Sequence, residues 1–207
     1  MLHRPHPLLS LVVLAISMRF AAAADLPTRV VRELNDAAVA VLRQKDLPVD
    51  AKRREIHAIV ERHVDFNTMS RLVLARNWSR LTDDQKTEFV EQFRNHLSAT
   101  YGKNIESYRD ERVEITGDRD EGRGDWTVQT KILRSGGAGA VLVDYRLRMI
   151  DGEWKVIDLL IERVSLVSNF RSQFQDIVAN GGIDRLLREL REKNGAEQVK
   201  LQSSSRS

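Results

Sequence analysis

The sequence of 207 residues contains no cysteine. Disulfide bonds, thiolate metal ligands and a cysteine nucleophile are therefore excluded. Aromatic residues make up only 6% of the chain. The fold must consequently be held by the packing of mainly aliphatic side chains.

Motifs that carry chemistry are also absent. The sequence has no G-x-S-x-G elbow, P-loop, G-x-G-x-x-G fingerprint or H-E-x-x-H zinc motif. His57 and Glu61 lie four residues apart, which a shared metal would allow, but no third ligand is apparent. A solvated helix face is the better interpretation of that pair. We therefore expect no catalytic site, no metal and no cofactor.

The first 24 residues have the three-part layout of a secretory signal. A short segment carrying Arg4 precedes an apolar run over residues 8–16, and Ala22 and Ala24 fit an A-x-A cleavage site. The run is about half of the ~20 residues that span a bilayer. We predict that residues 1–24 are a cleaved signal peptide; an uncleaved N-terminal anchor is the alternative.

Loss of the signal changes the charge balance. Residues 1–24 contain two of the 33 Lys and Arg residues and none of the 30 Asp and Glu residues, which leaves the remainder with a net charge of +1. A nearly neutral chain has no overall field that attracts nucleic acid. We therefore expect no nucleic-acid partner.

The hydrophobic period changes along the chain and predicts an α+β fold. From Thr28 to Tyr108 apolar residues recur at helical spacing, whereas after Glu111 they alternate with polar ones. The chain then returns to helix, which Gly181 and Gly182 interrupt. We predict helices packed on one face of a roughly four-stranded antiparallel sheet, and periodicity alone favours a solid core between them. We expect residues 25–193 to form a single lipid-binding or solid-core domain and residues 194–207 to form a flexible polar tail.

The turn Asp151-Gly152 predicts the register of the last hairpin, because this pair favours a two-residue loop. Such a loop places Tyr145 opposite Asp158, and directly opposed side chains share a face. Apart from that one acid, the resulting face is apolar and should be covered by helices. Its apolar members are Val143, Tyr145, Leu147, Met149, Trp154, Val156 and Leu160.

Asp158 needs a partner if it is covered, since a lone buried carboxylate is costly. Tyr145 could donate a hydrogen bond to it, and Arg171 in the following helix could supply a positive charge. We interpret Asp158 and Arg171 as a structural latch between the sheet and the C-terminal helix. The alternative is a general acid with a raised pKa, but no second carboxylate or nucleophile shares the face.

Three groups of residues, taken in order, resemble a known family. They are Phe66 with residues 69–78 (MSRLVLARNW), residues 82–101, and residues 143–147 followed by 154–158 and 165–174. Together they are similar to the MlaC family, also called the toluene-tolerance family. The resemblance spans about residues 28–192.

The resemblance implies an NTF2-like sheet-and-helix architecture with a lipid cavity. It also implies a periplasmic lipid carrier without catalytic residues. Members are expected to shuttle phospholipid between an outer-membrane lipoprotein complex and an inner-membrane ABC transporter that carries MCE-domain subunits. An HpnM-like branch linked to hopanoids is a related possibility. We expect the acyl chains to contact the inner faces of the long helix, the sheet and the C-terminal helix. The predicted lipid-binding residues are Phe93, Leu97, Tyr101, Ile105, Val143, Tyr145, Leu147, Met149, Trp154, Val156, Leu160, Phe170 and Phe174.

A carrier of this kind is physically reasonable, because the two chains of a lipid contain on the order of 30 methylenes and exposing them to water would cost ~24 kcal/mol. Two other functions fit the same pattern: an interaction module with a solid core, and a small hydrolase. Lipid bound to the purified protein would favour the carrier over both.

Overall fold

The computed structural model describes residues 26–102, 108, 110–134 and 139–204, with side chains as far as residue 197. The predicted signal peptide and Ile105 lie outside the described residues. Within the described part of the chain, no helix combines the length and the apolar character needed to cross a bilayer.

The N-terminal half is helical. Its elements are α1 (Pro27–Leu42), α2 (Val49–His63), α3 (Phe66–Leu74), a short 3-10 helix (Ala75–Arg80) and α4 (Asp83–Tyr101). Pro27 occupies the first turn of α1, where its missing N–H costs nothing. The side chains of Thr82 and Gln85 form a reciprocal capping box at the start of α4. Local sequence therefore determines where both helices begin.

An antiparallel sheet follows the helices. Its strands are β1 (Arg112–Gly122), β2 (Asp125–Leu133), β3 (Ala140–Ile150), β4 (Glu153–Ile161) and the two-residue β5 (Val164–Ser165). Each strand pairs with the next one along the chain. Asp151 and Gly152 both have positive φ (51° and 86°), as the predicted hairpin turn requires. The α+β class and the antiparallel sheet are thus confirmed, with one short strand more than predicted.

A β-bulge at Ile157 changes the register of the last hairpin. Leu147 lies opposite Val156 as predicted, but the next residue, Arg146, lies opposite Asp158. Tyr145 is therefore opposite Leu159, and the predicted pairing of Tyr145 with Asp158 is wrong. One extra residue reverses the face of every side chain that follows it in a strand.

The same bulge changes the face on which the last side chains of β4 lie. Leu160 lies opposite Asp144 on the polar face, so its predicted place on the apolar face is wrong. Ile161 lies opposite Val143 and takes the place assigned to Leu160. The apolar face of β4 is therefore completed by Leu159 and Ile161.

The C-terminal helix α5 (Leu166–Ser204) is broken at Gly182, whose φ of 76° and ψ of −178° are not helical. This break agrees with the interruption predicted at the two glycines. The helix then continues to Ser204, and Asn194 is buried and donates hydrogen bonds to the backbone and side-chain oxygens of Gln92, each over 2.9 Å. Residues 194–204, for which the sequence predicts a flexible polar tail, are thus helical in the structure.

The core consists of two clusters. In the first, α1 packs on the apolar face of the sheet; its buried members are Val30, Val31, Leu34, Val128, Val143, Tyr145, Leu147 and Val156. The second joins α3, α4 and α5 around four phenylalanine rings whose centroids lie 5.3–5.8 Å apart: Phe89, Phe93, Phe170 and Phe174. Val64 and Leu159 pack against both clusters and mark the region between them.

Candidate functional site

A cavity of about 510 Å³ opens between α2, α3, α4 and the end of β4. Its volume lies in the range of ~300–1,000 Å³ that is common for small-molecule sites. Most of the lining is apolar: Ile56, Val60, Val64, Phe66, Met69, Leu97, Ala99, Tyr101, Leu159, Ile161 and Leu166. Polar side chains come from Arg53, His57, Asn95 and Ser98.

Helix α2 forms one wall of this cavity. Ile56 and Val60 lie four residues apart on α2 and so share a face, and Val64 follows the helix in extended conformation, paired with Val156 of β4. None of the residues of α2 is buried, although a helix with an apolar face normally buries it. The C-terminal end of α2 is fixed to β4, because the backbone N–H of Asp65 donates to the carbonyl of Val156 over 3.0 Å. The apolar face of α2 therefore borders open space.

The opposite walls come from α4 and β4. Leu97 and Tyr101 lie one turn apart on α4, and burial raises the pKa of the Tyr101 hydroxyl above its ordinary value. Leu159 and Ile161 reach the cavity because the bulge at Ile157 sets the face of the strand beyond it. The site thus depends on an irregularity that no periodic pattern shows.

Burial varies across the cavity. Met69 and Leu166 are buried and lie at its deep end. Arg53, His57 and Asn95 are partly buried, as are most of the apolar lining residues, and Ser98 is exposed. The mainly apolar lining suits a molecule with an apolar body.

Of the predicted lipid-binding residues within the described part of the chain, only Leu97 and Tyr101 line the cavity. The other described residues of that prediction lie in the core or on the surface. Phe93, Phe170 and Phe174 belong to the phenylalanine core, and Val143, Tyr145, Leu147 and Val156 belong to the core beneath α1. Met149 is 38% exposed, Trp154 stacks edge-on against Trp126, and Leu160 lies on the polar face of the sheet.

Sequence reasoning missed most of the cavity lining. The apolar face of α2 is visible in the sequence. Apolar side chains on one face of a short, highly charged helix indicate a surface that something else covers. Phe66 and Met69 belong to the first motif of the family resemblance, but nothing in that motif gives them a role. Leu159 and Ile161 could not be found, since their placement follows from the bulge.

Asp158 has partners other than the predicted ones. Its carboxylate is 1% exposed and accepts hydrogen bonds from Ser165 Oγ over 2.6 Å and from the backbone N–H of Val167 over 3.0 Å. Tyr145 donates instead to Asn35 Oδ1 over 2.9 Å, and Arg171 donates to the carbonyl of Leu72 over 2.7 and 2.9 Å. Asp158 does connect the sheet to α5, but the roles predicted for Tyr145 and Arg171 in that connection are wrong.

The described residues contain no group of three or more His, Asp or Glu side chains that could hold a metal ion. His57 Nδ1 lies 3.6 Å from Glu61 Oε2, and Arg94 donates to Glu61 Oε1 over 2.8 Å. Glu61 thus serves as an acceptor between two helices, α2 and α4.

Two known proteins are similar to this chain in sequence. A toluene tolerance protein, ttg2D of Pseudomonas putida, is 29% identical over 58% of this chain and 56% of its own length. The intermembrane phospholipid transport system binding protein MlaC of Haemophilus influenzae is 20% identical over 63% of this chain and 62% of its own length. The matched segments thus span less than two thirds of either relative.

The fold is similar to that of a phospholipid-binding protein from Ralstonia solanacearum, solved in complex with a phospholipid. The TM-score is 0.74 at 22% sequence identity, over 82% of this chain and 97% of that one. The family described as MlaC protein matches residues 32–192, which is more than half of the sequence. The chain therefore belongs to the MlaC family.

Proposed function

We propose that the chain is a lipid carrier that buries the acyl part of a phospholipid in the cavity between α2, α3, α4 and β4. The observation that carries this proposal is an open apolar cavity whose α2 wall has no buried residue. The two named relatives, a toluene tolerance protein and a phospholipid transport component, and the phospholipid in the Ralstonia protein support the same function.

The size of the cavity indicates how much lipid it accepts. With about 510 Å³ and an open side, the cavity has the size of a typical small-molecule site, which accommodates one acyl chain. A second chain needs more space. The wall best able to yield is α2, because moving it uncovers no buried side chain of its own. Loading a two-chain lipid therefore involves an outward shift of α2.

Transport of this kind needs no covalent chemistry, so we infer that the protein is a carrier rather than an enzyme. The mature protein would work in the periplasm after removal of residues 1–24. It would exchange lipid with an inner-membrane ABC transporter that carries MCE-domain subunits and with an outer-membrane lipoprotein complex. The predicted signal peptide and the membership of the MlaC family support this location and these partners.

Mass spectrometry of lipid extracted from the purified protein tests the proposal. We expect phospholipid at about one molecule per chain, retained through gel filtration. Protein from the periplasm that carries no lipid, and takes none from phospholipid vesicles, would instead favour an interaction module with an unused cavity. A spectrum dominated by hopanoids would assign the chain to the related branch.

A further inference from the structure

The break at Gly182 divides α5 into two halves with different attachments. The first half is fixed to the sheet through Asp158 and to α3 through Arg171, which donates to the carbonyl of Leu72. The second half, residues 183–204, lies along α4. Its buried side chains, which pack against the phenylalanine rings of the core, are Leu186, Leu187 and Leu190.

Polar contacts show the direction in which this second half lies on α4. Gln85 Nε2 donates to Asp184 Oδ1 over 2.9 Å at one end. Asn194, which is 5% exposed, donates to the backbone and side-chain oxygens of Gln92 at the other end. Both partners advance in the same direction along the sequence, so the two helices run parallel. The next residue on this face of α4 is His96, four positions after Gln92.

His96 lies between α4 and both halves of α5. Its ring meets that of Phe170, in the first half, edge to face with the centroids 5.6 Å apart, and Lys193 and Asn194 of the second half lie beside it. Among the described residues, Lys193 is the one charged group that acts on the ring, and no carboxylate of α4 or α5 balances it. Burial, followed by the charge of Lys193, lowers the pKa of the imidazole below its ordinary value of 6.5, and the side chain of Asn194 only partly opposes this.

The other side of α4 forms a wall of the cavity. Leu97 and Tyr101, from the same end of the helix as His96, line it. This end of α4 therefore has the second half of α5 on one side and open space on the other. Loosening the second half of α5 would free the part of α4 that an acyl chain in the cavity would contact.

We propose that His96 is a pH-sensitive contact that releases the second half of α5 from α4 under mildly acidic conditions and thereby speeds the loss of lipid from the cavity. The part that concerns lipid rests on the proposed function. A protonated ring places a second positive charge beside Lys193 in a partly buried interface, which is unfavourable where no carboxylate balances it.

The direction of the pH effect follows from the environment of His96. Because its pKa is lower in the folded protein than in the unfolded chain, the folded state holds the proton less tightly. The stability that this contact contributes is therefore complete above pH 6.5 and is lost as the pH falls below that value. Local opening of the second half of α5 should increase over the same range.

Hydrogen exchange of lipid-free protein at pH 7.5 and 5.5 tests the release. The exchange rate of amides in residues 183–197 of wild type is divided by that of His96→Gln at the same pH, which removes the intrinsic effect of pH on exchange. We expect this ratio to rise by about twofold or more at the lower pH. His63→Gln is the matched control, because His63 ends α2 and is not among the residues that line the cavity. The ratio of wild type to His63→Gln should stay constant.

Lys193→Gln distinguishes a proton effect from simple packing. Without the neighbouring charge the ring should accept a proton more readily, so the rise in exchange of residues 183–197 at pH 5.5 should shrink while the fold stays intact. A rise of the same size in wild type, His96→Gln and Lys193→Gln would overturn the switch.

Transfer of fluorescent phosphatidylglycerol from the protein to acceptor vesicles tests the link to lipid. We expect wild type to release it faster at pH 5.5 than at pH 7.5, and His96→Gln to show a smaller difference. Equal differences in both proteins would overturn the effect on lipid release. Wild-type protein that takes up no lipid at either pH would remove the proposed function and the lipid part of this inference with it, and hydrogen exchange would still decide whether His96 is a switch.

Discussion

Asp158 Oδ1 accepts a hydrogen bond over 3.0 Å from the backbone N–H of Val167, in the first turn of α5. Its Oδ2 accepts from Ser165 Oγ, and that same oxygen of Ser165 accepts from the backbone N–H of Ser168 over 3.0 Å. The first N–H groups of a helix have no partner within the helix, and a carboxylate there also interacts favourably with the helix dipole. Asp158 therefore fixes the start of α5 to β4.

Asp158→Ala should lower the free energy of unfolding by about 1–3 kcal/mol, because it strands buried donors at the start of α5. Asp158→Asn should cost less, since its side-chain oxygen still accepts from Val167. Urea unfolding of lipid-free protein measures both. Asp118→Ala, at an exposed position on β1, is the control and should leave the midpoint unchanged. An unchanged midpoint for Asp158→Ala would show that this connection does not stabilise the fold.

Tyr145 should make stability depend on alkaline pH. Burial raises the pKa of its hydroxyl to about 12, from an ordinary value of 10.0. The folded state therefore holds this proton more tightly than the unfolded state does. The resulting stability is complete below pH 10 and is lost as the pH rises from 10 to about 12, with a total change of about 3 kcal/mol.

Tyr145→Phe separates this effect from other groups that titrate at high pH. The variant loses the hydrogen bond to Asn35, which should cost about 1 kcal/mol at pH 7. The difference between wild type and variant should then shrink and reverse as the pH passes 10. Urea midpoints at pH 7, 9, 10 and 11 measure it. A difference that stays constant with pH would contradict the predicted titration of Tyr145.

Much of the fold could be predicted because its signals are local. The capping box at Thr82, the turn at Asp151 and Gly152, and the break at Gly182 each depend on residues close together in sequence. The alternation of apolar side chains in β3 gave the correct buried face of that strand, with Val143, Tyr145 and Leu147 inward. Features of this kind need no knowledge of distant contacts.

The candidate site was harder to predict from the sequence, because its position depends on how the helices pack. Phe93 and Leu97 lie one turn apart on α4, yet one is enclosed by phenylalanine rings and the other borders the cavity. Their spacing gives the same prediction for both residues. The bulge at Ile157 likewise has no sequence signature, although it exchanges Leu160 for Ile161 on the apolar face. An apolar stripe identifies an inner face but does not separate core from cavity.

Export can be tested through the mass of the mature protein. Cleavage between Ala24 and Asp25 would leave α1 intact, since this helix begins at Pro27. Intact mass of protein from a periplasmic extract should therefore correspond to a chain that begins at Asp25. Replacing both Ala22 and Ala24 with leucine should abolish this product, because the cleavage site requires small residues. Recovery of the full-length mass from wild-type cells would indicate an anchored precursor.

Two tryptophan substitutions distinguish cavity from core. Val60 is half-buried and lines the cavity from α2, whereas Leu147 is 0% exposed and packs in the core beneath α1. The indole of Val60→Trp can occupy space that an acyl chain would otherwise fill. That of Leu147→Trp has no such space, and overpacking a core typically costs ~1–3 kcal/mol.

For Val60→Trp we therefore expect less lipid per protein and an unchanged or higher melting temperature when lipid-free, because the ring fills a void while it competes with the acyl chain. For Leu147→Trp we expect the reverse, a clear drop in the melting temperature of lipid-free protein and normal lipid content in the molecules that remain folded. Lipid stoichiometry by mass spectrometry and melting temperature would be measured for both variants and wild type, before and after delipidation. If Val60→Trp is destabilised as strongly as Leu147→Trp and still carries full lipid, the acyl chains do not occupy the cavity beside α2. If instead Leu147→Trp alone loses its lipid without losing stability, the chains lie beneath α1 and the site predicted from the sheet face was correct.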